Sequence, residues 1–333
     1  MKALVTGATG FVGGHVAREL LRARVEVRAL VRKPPPAGHP LGEMGVELAY
    51  GDLRDPYSLR KALRGCQALL HVAAHYAFWA RDRREVYRTN VDGTRHLLSL
   101  ALAMGIEKAV YTSTASIIAV PKWGLGTEGM GLAPDSLYGD YKRSKYMAEV
   151  EALKIARQGL PLVIVSPTAP VGWGDVRPTP TGQMILDFLR GRMPAYVDVG
   201  LNLIDVEDVA AGHRLALERG RPGERYILGH RNMTLKEMLD MLSTVAGRPA
   251  PRLRLPRWLV LAAAYLDEGV EGRLLRRPPR VPLAAARTAG RREIYDASKA
   301  VWELGLPQSP IEAALAKAVR WFREGPQAGA GWV

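Results

Sequence analysis

Apolar residues in the first two thirds of the chain fall into two alternating kinds of segment. Short runs rich in Val, Leu, Ala and Ile predict strands: "KALVT" (2–6), "VEVRALV" (25–31), "VELAYG" (46–51), "ALLHVA" (68–73), "KAVYTST" (108–114) and "PLVIVSP" (161–167). Between them lie stretches such as "VGGHVARELLRA" and "GTRHLLSLALAMG", whose apolar residues recur at steps of three and four, the period of a helix with one covered face. The alternation predicts an α/β fold, a doubly wound parallel sheet with helices on both sides. After Pro167 the regularity breaks down. "SPTAPVGWGDVRPTPTG" is dense in proline and glycine and predicts a long loop or a change of domain. Beyond it, "ERYILG" (224–229) predicts a further strand, and helices are expected near 207–219, 234–246, 258–275 and 310–324. The last residues, 325–333, read as a flexible tail.

Composition narrows the class. The chain has 333 residues, 47% of them hydrophobic, enough for a large core in one or two domains. The N-terminus lacks the apolar core of a signal peptide, so a cytoplasmic location is expected. The longest apolar run, "WLVLAAAYL" from Trp258 to Leu266, is far below the ~20 residues that span a bilayer. The single cysteine, Cys66, excludes an internal disulfide and any multi-cysteine metal site. The formal charge of +14 raises the prospect of an anionic partner, and much of it sits in residues 248–292, which hold eleven arginines against Asp267, Glu268 and Glu271. No nucleic-acid-binding motif accompanies them, which leaves a phosphorylated ligand, an anionic membrane surface or plain solvation. Of these the expected role for "PRWLVLAAAYLDEGVEGRLLRRPPR" is a core helix whose arginines face a ligand diphosphate or water, with weak membrane-surface association as the rival.

The first candidate chemistry is "TGATGFVGGHV", which follows a strand and opens a helix. Gly7 turns the chain, Gly10 admits a pyrophosphate close to the backbone, and Gly13 lets helix and strand pack closely. The helix N-terminus supplies free N–H groups and partial positive charge for phosphate. Residues 1–170 are therefore expected to form a dinucleotide-binding Rossmann domain, with elements near 204–229 returning to it, and 171–333 a smaller, mainly helical substrate-binding part. Arg32 and Lys33 stand at the end of the second strand, where an acid would bond the adenosine ribose of NAD. A guanidinium grips a 2′-phosphate in a bidentate fashion, so NADP is favoured, with NAD possible. Asp52 and Leu53, after the third strand, are placed to receive the adenine amino group and cover its ring.

The second candidate is "GDYKRSKYMAE", where Tyr141 and Lys145 lie four apart on one face of an expected helix. An ammonium beside the phenol should bring its pKa of ~10 down towards working pH, so that tyrosine exchanges a proton with an alcohol or carbonyl oxygen while hydride moves at the carbon. A hydroxyl at the end of "YTST", Thr114 or Ser113, would fix that oxygen at the carboxyl edge of the sheet. His71 and His75 straddle a strand end with no acid or cysteine cluster, and a packing role for His71 is expected. His213 is expected on a helix face, with Asp205 and Asp208 capping that helix. Tyr76, Phe78 and Trp79 either line the site or pack.

Together "TGATGFVG", "GDLRD", "HVAA", "YTST" and "YKRSK" resemble the extended short-chain dehydrogenase/reductase family, and almost all of residues 1–324 is similar to its hopanoid-associated sugar epimerases and dihydroflavonol-reductase-like members. The resemblance implies that Tyr141 is the general acid/base, that Lys145 lowers its pKa and bonds the nicotinamide ribose, and that Thr114 orients the substrate oxygen. It implies cofactor contacts from Phe11 and Val12 between the glycines, from Ala73 and Ala74 beside the fourth strand, and from Pro167 and Thr168 flanking the nicotinamide. Asn90 would hold the helix and strand geometry around the site. The implied activity is hydride movement at a hydroxyl or carbonyl carbon of a sugar or nucleotide-sugar-like small molecule. The alternatives are an NADPH-dependent ketone or aldehyde reductase and a cofactor-sensing regulator without catalysis. A homodimer is expected by analogy, and no metal or nucleic acid is called for.

Overall fold

Seven parallel strands form the central sheet of the computed structural model, which describes residues 1–35, 39–42, 44–76, 82–131, 137–275, 277, 283–287 and 290–325. They are β1 (Lys2–Thr6), β2 (Glu26–Val31), β3 (Glu47–Tyr50), β4 (Ala68–His71), β5 (Lys108–Thr112), β6 (Leu162–Pro167) and, returning late, β10 (Arg225–Leu228), in the spatial order β3-β2-β1-β4-β5-β6-β10. The order reverses between β1 and β4, where folds of this design bind ligands beyond the carboxyl ends of the strands. Phe78, Trp79, Arg276, Arg280 and the tail beyond Gly325 lie outside the described residues.

The strands inside the sheet are apolar on both faces because both are covered, while the edge strand β3 is only half-buried. Val5, Leu70 and Val110 face one core, where α1 (Phe11–Arg22) and α7 (Val206–Arg219) pack together. Leu4, Leu69 and Tyr111, one residue away in each strand, face the other, under α2 (Pro56–Leu63), α4 (Gly93–Ala103) and α5 (Asp140–Arg157). This is the two-residue period of a strand expressed as two separate cores. The short α3 (Arg83–Tyr87) runs through a π-turn at Arg88–Asp92 into α4. Asp55 caps α2, its side chain accepting from the Tyr57 amide at 3.0 Å, and Asp205 caps α7 through the Glu207 amide at 2.9 Å. Asp208, expected to cap as well, instead accepts from the amide and hydroxyl of Ser309.

The proline- and glycine-rich stretch after Pro167 is not one long loop. It contains β7 (Ala169–Val171), and the first turn of α6 (Pro180–Leu189) begins inside it, capped by Thr179. β7 pairs with β9 (Gly200–Asp205), which pairs antiparallel with β11 (Arg231–Thr234); β8 (Ala195–Val197) pairs with β12 (Leu253–Leu255). A third core joins β7, β8, β9 and β11 to α6, α8 (Leu235–Ala246) and α11 (Ile311–Glu324). Between α8 and α11 lie α9 (Arg257–Asp267), prolonged by a π-turn at Glu268–Leu274, and the single turn α10 (Leu283–Ala286).

Candidate active site

The glycine loop is built to be bare. Gly7, in the left-handed region at φ +76°, meets Ala73 so closely that a Cβ would stand 2.8 Å from the Ala73 Cα and amide nitrogen. A Cβ on Gly13 would lie 2.1 Å from the Gly7 carbonyl oxygen, so only glycine permits this approach of helix to loop. Gly10 closes the turn with its amide on the Gly7 carbonyl at 2.8 Å and stands before α1 without a side-chain cap, and the first turn of α1 carries no acid. Its first N–H groups and their positive dipole end suit a diphosphate. Phe11 and Val12 form the first turn, half-buried. The residues present thus fit a dinucleotide. Arg32 is exposed beside Asp52, whose carboxyl is held below its ordinary value first by Arg54, with Arg32 adding to the effect. Arg54 grips the Asp52 carboxylate with two bonds of 2.8 and 2.9 Å, and Leu53 is buried against Gly93.

Ala73 donates its amide to the Thr6 hydroxyl at 3.1 Å, which ties the end of β4 to the end of β1. The same hydroxyl meets His71 Nδ1 at 2.8 Å, and His71 Nε2 meets Thr94 at 2.9 Å. Burial, with the neighbouring Lys145 charge assisting, pulls His71 down to about 3, so it is a neutral packing residue. Ala74 is half-buried beside Ala73. His75 is held through its backbone: Asn90 accepts its amide at 2.6 Å and donates to its carbonyl at 3.2 Å. Asn90 also donates to Ser144 at 2.9 Å, and Ser144 donates to the Tyr141 carbonyl at 2.8 Å. A residue in the π-turn before α4 therefore fixes the loop after β4 to the first turn of α5.

Gly139, at φ +84°, turns the chain into α5, and Asp140 is held there by Arg83 at 2.7 Å and by the Tyr87 hydroxyl at 3.1 Å. Tyr141 follows, half-buried, and Thr114 lies near enough to lower its hydroxyl pKa against the raising effect of burial. Thr114 in turn accepts from the Ser116 amide at 3.2 Å and shares a bond of 3.0 Å with the Ser116 hydroxyl. The open choice between neighbouring hydroxyls is resolved here: Ser113 donates to the fully buried Glu149, which also pairs with Arg225. Thr114 is the one that acts on the Tyr141 hydroxyl, lowering its pKa. Tyr76, half exposed, lays its ring 4.3 Å from that of Tyr141. Pro167 ends β6, and Thr168 gives its amide and hydroxyl to the Leu228 carbonyl at 3.0 and 3.2 Å.

Lys145 departs from expectation. It is buried one turn behind Tyr141, but its ammonium donates to the Tyr111 hydroxyl at 2.9 Å and the Thr112 carbonyl at 2.7 Å, and lies 4.4 Å from the centre of the Tyr111 ring. Burial pulls it down to about 7, against the raising effect of Glu149, and burial also drives the Tyr141 hydroxyl up, against the lowering effect of Thr114. The expected acidification of Tyr141 by Lys145 is absent from this arrangement because desolvation of each group outweighs any charge between them.

Three residues escaped the sequence reading. Tyr111, the partner of Lys145, carries a polar group inside an apolar strand, and a buried hydroxyl needs a partner. Ser144 lies between the two residues of the YxxxK pattern. Asp175, in the stretch after β7, is buried, accepts from the amide and hydroxyl of Thr179 at 2.8 Å, and has its other oxygen without a hydrogen-bond partner among the described residues; burial pushes it up to about 6. The basic region reaches the same end of the molecule: Arg287 and Arg291 stack on Tyr138 at 5.2 and 4.6 Å, and Lys142 pairs with Glu293.

Residues 3–229 match the model of the NAD dependent epimerase/dehydratase family. A protein of Synechocystis sp. named "Putative dihydroflavonol 4-reductase" is 50% identical over 96% of this chain and 94% of its own length. "Sterol demethylase protein B" of Methylococcus capsulatus is 38% identical over 97% of this chain and 99% of its own. Among solved structures, a nucleoside-diphosphate-sugar epimerase from Pseudomonas aeruginosa superposes with a TM-score of 0.81 at 28% identity, covering 98% of this chain and 99% of that one.

Proposed function

Since the chain belongs to the NAD dependent epimerase/dehydratase family and is an oxidoreductase-type enzyme of it, we propose that it reduces a carbonyl carbon of a small lipophilic molecule, with NADP preferred over NAD. The observation that carries the reading is the placement of Thr114 just past the carboxyl end of β5 and of Tyr141 on the first turn of α5 beside it, with Lys145 one turn behind. Gly7, Gly10, Phe11, Val12 and Gly13 would cradle the cofactor diphosphate, Arg32 the 2′-phosphate, and Asp52 and Leu53 the adenine. Ala73, Ala74, Pro167 and Thr168 would line the nicotinamide, with Tyr141 and Lys145 on its ribose. Bound there, the nicotinamide ring supplies or accepts the hydride.

Thr114 holds the substrate oxygen, and Tyr141 delivers a proton to that oxygen as the carbonyl becomes an alcohol. The phenolate left behind needs a cation nearby, and Lys145 supplies it when protonated. Because Lys145 sits near 7, its charge changes across the working range. Arg32 favours a dissociable NADPH, and the reductase and sterol names of the two relatives favour a lipophilic carbonyl substrate. A second reading, epimerisation of a sugar nucleotide, is favoured by the Arg287 and Arg291 guanidinium groups beside Tyr138, which suit a phosphorylated substrate. Releasing and identifying whatever dinucleotide co-purifies separates the two. The reductase reading expects little bound cofactor and consumption of NADPH with a ketone panel. Stoichiometric, tightly held oxidised cofactor with no net consumption would count for the epimerase.

A further inference from the structure

Helix α9 and the π-turn after it reverse the usual arrangement of a surface helix. Trp258, Ala262, Leu266, Val270 and Leu274 follow at steps of four, and all are exposed: Trp258 by 69%, Leu266 by 72% and Leu274 by 77%. Leu259 and Tyr265 widen the stripe. The expectation of a core helix is overturned, since Ala264 alone in α9 is buried. The acids of the segment, Asp267, Glu268 and Glu271, are half-buried, and Glu268 accepts the Leu283 amide at 2.9 Å. Exposed Arg252 and Arg257 precede the stripe, and exposed Arg277 follows it.

A contiguous apolar face marks an interaction surface, and its chemistry names the partner. An apolar stripe carrying tryptophan, bounded at both ends by arginines and free of exposed acids, suits the boundary of a bilayer, with Trp and Leu among the acyl chains and guanidinium groups on headgroup phosphates. We infer that α9 and its π-turn dock this protein on a membrane surface carrying anionic lipid. A second copy of the chain suits the face less well, since a two-fold contact would set the same arginines against one another. The docked face is linked to the candidate site: Arg287 donates to the Tyr265 hydroxyl at 3.1 Å and stacks on Tyr138, three residues before Tyr141. That the docked enzyme takes a lipophilic carbonyl substrate from the bilayer rests on the proposed function; the docking does not.

Flotation of the full chain with phosphatidylcholine vesicles, with and without roughly one-third phosphatidylglycerol, tests the docking without reading activity. We expect about tenfold more protein with the anionic vesicles, a gain that salt weakens. The double variant Leu266→Glu, Leu274→Glu should lose flotation and keep its Tm and cofactor affinity; the triple variant Arg252→Gln, Arg257→Gln, Arg277→Gln should fall to the level of neutral vesicles. Equal recovery with both vesicle types, or flotation of the double variant at the parent level, would overturn the inference. So would a parent dimer that ignores vesicles and becomes monomeric in the double variant, because the stripe would then join two copies.

Discussion

Helices α5 and α9 depart from the ordinary inside–outside rule in opposite directions. α5 takes Lys145 and Glu149 into the protein, whereas α9 leaves Trp258, Leu266 and Leu274 on its surface. Buried charge on α5 is tolerated because each group finds partners: Glu149 has Arg225 and Ser113, and Lys145 has Tyr111 and the Thr112 carbonyl. The two departures sit at the two places proposed to meet another molecule. Stability alone explains neither, which is why each is informative about function.

The comparison can be broken most directly at Lys145. Lys145→Met should lower turnover by about 10²–10⁴-fold while making the protein more stable at neutral pH. The sign follows from a folded pKa of about 7 lying below the free-lysine value: between the two the unfolded chain binds more protons, so parental stability rises with pH across that window. The advantage of the variant should be largest below pH 7 and gone above pH ~10.5, as read by denaturant titration at several pH values. Glu149→Ala, one turn further along α5, should do the reverse. It strands Arg225 in a largely buried site and should cost about 3–5 kcal/mol in the same titration.

The hydroxyl neighbours sharpen the picture at smaller scale. Thr114→Val should reduce kcat/KM by about 10²-fold with little loss of stability, whereas Ser113→Ala should spare catalysis and cost about 1–3 kcal/mol, because Glu149 loses a donor. On α9, Leu266→Ser should change stability by no more than about 0.5 kcal/mol, the behaviour of a solvent-exposed position. A loss of several kcal/mol there would mean that the stripe is covered.

These contrasts also show what was legible in the residues and what was not. β1, β2, β4 to β6 and β10 were readable because a strand buried on both faces is a continuous apolar run, and the half-buried edge strand β3 through its short apolar run "VELAYG". β7, with Pro170 at its centre, and the short β8 and β12 carry no such signal and exist through pairing with distant strands. Tyr141, Lys145 and the glycine array stand out in the sequence through their spacing alone. The direction of the Lys145 ammonium was not, because a four-carbon stem reaches either Tyr141 or the end of β5 and only packing decides. Ser113 and Thr114 were equivalent until Glu149 was seen to occupy the first. α9 is apolar nearly all round, so its periodicity is silent on which face is covered.

The central claim is that Tyr141 exchanges the proton, and Tyr141→Phe tests it most directly, with turnover and cofactor affinity measured on the same preparation. The account predicts a fall in kcat of at least about 10²-fold with the dissociation constant for NADPH within about threefold of the parent. Turnover near the parental rate in a variant that still binds cofactor would contradict it.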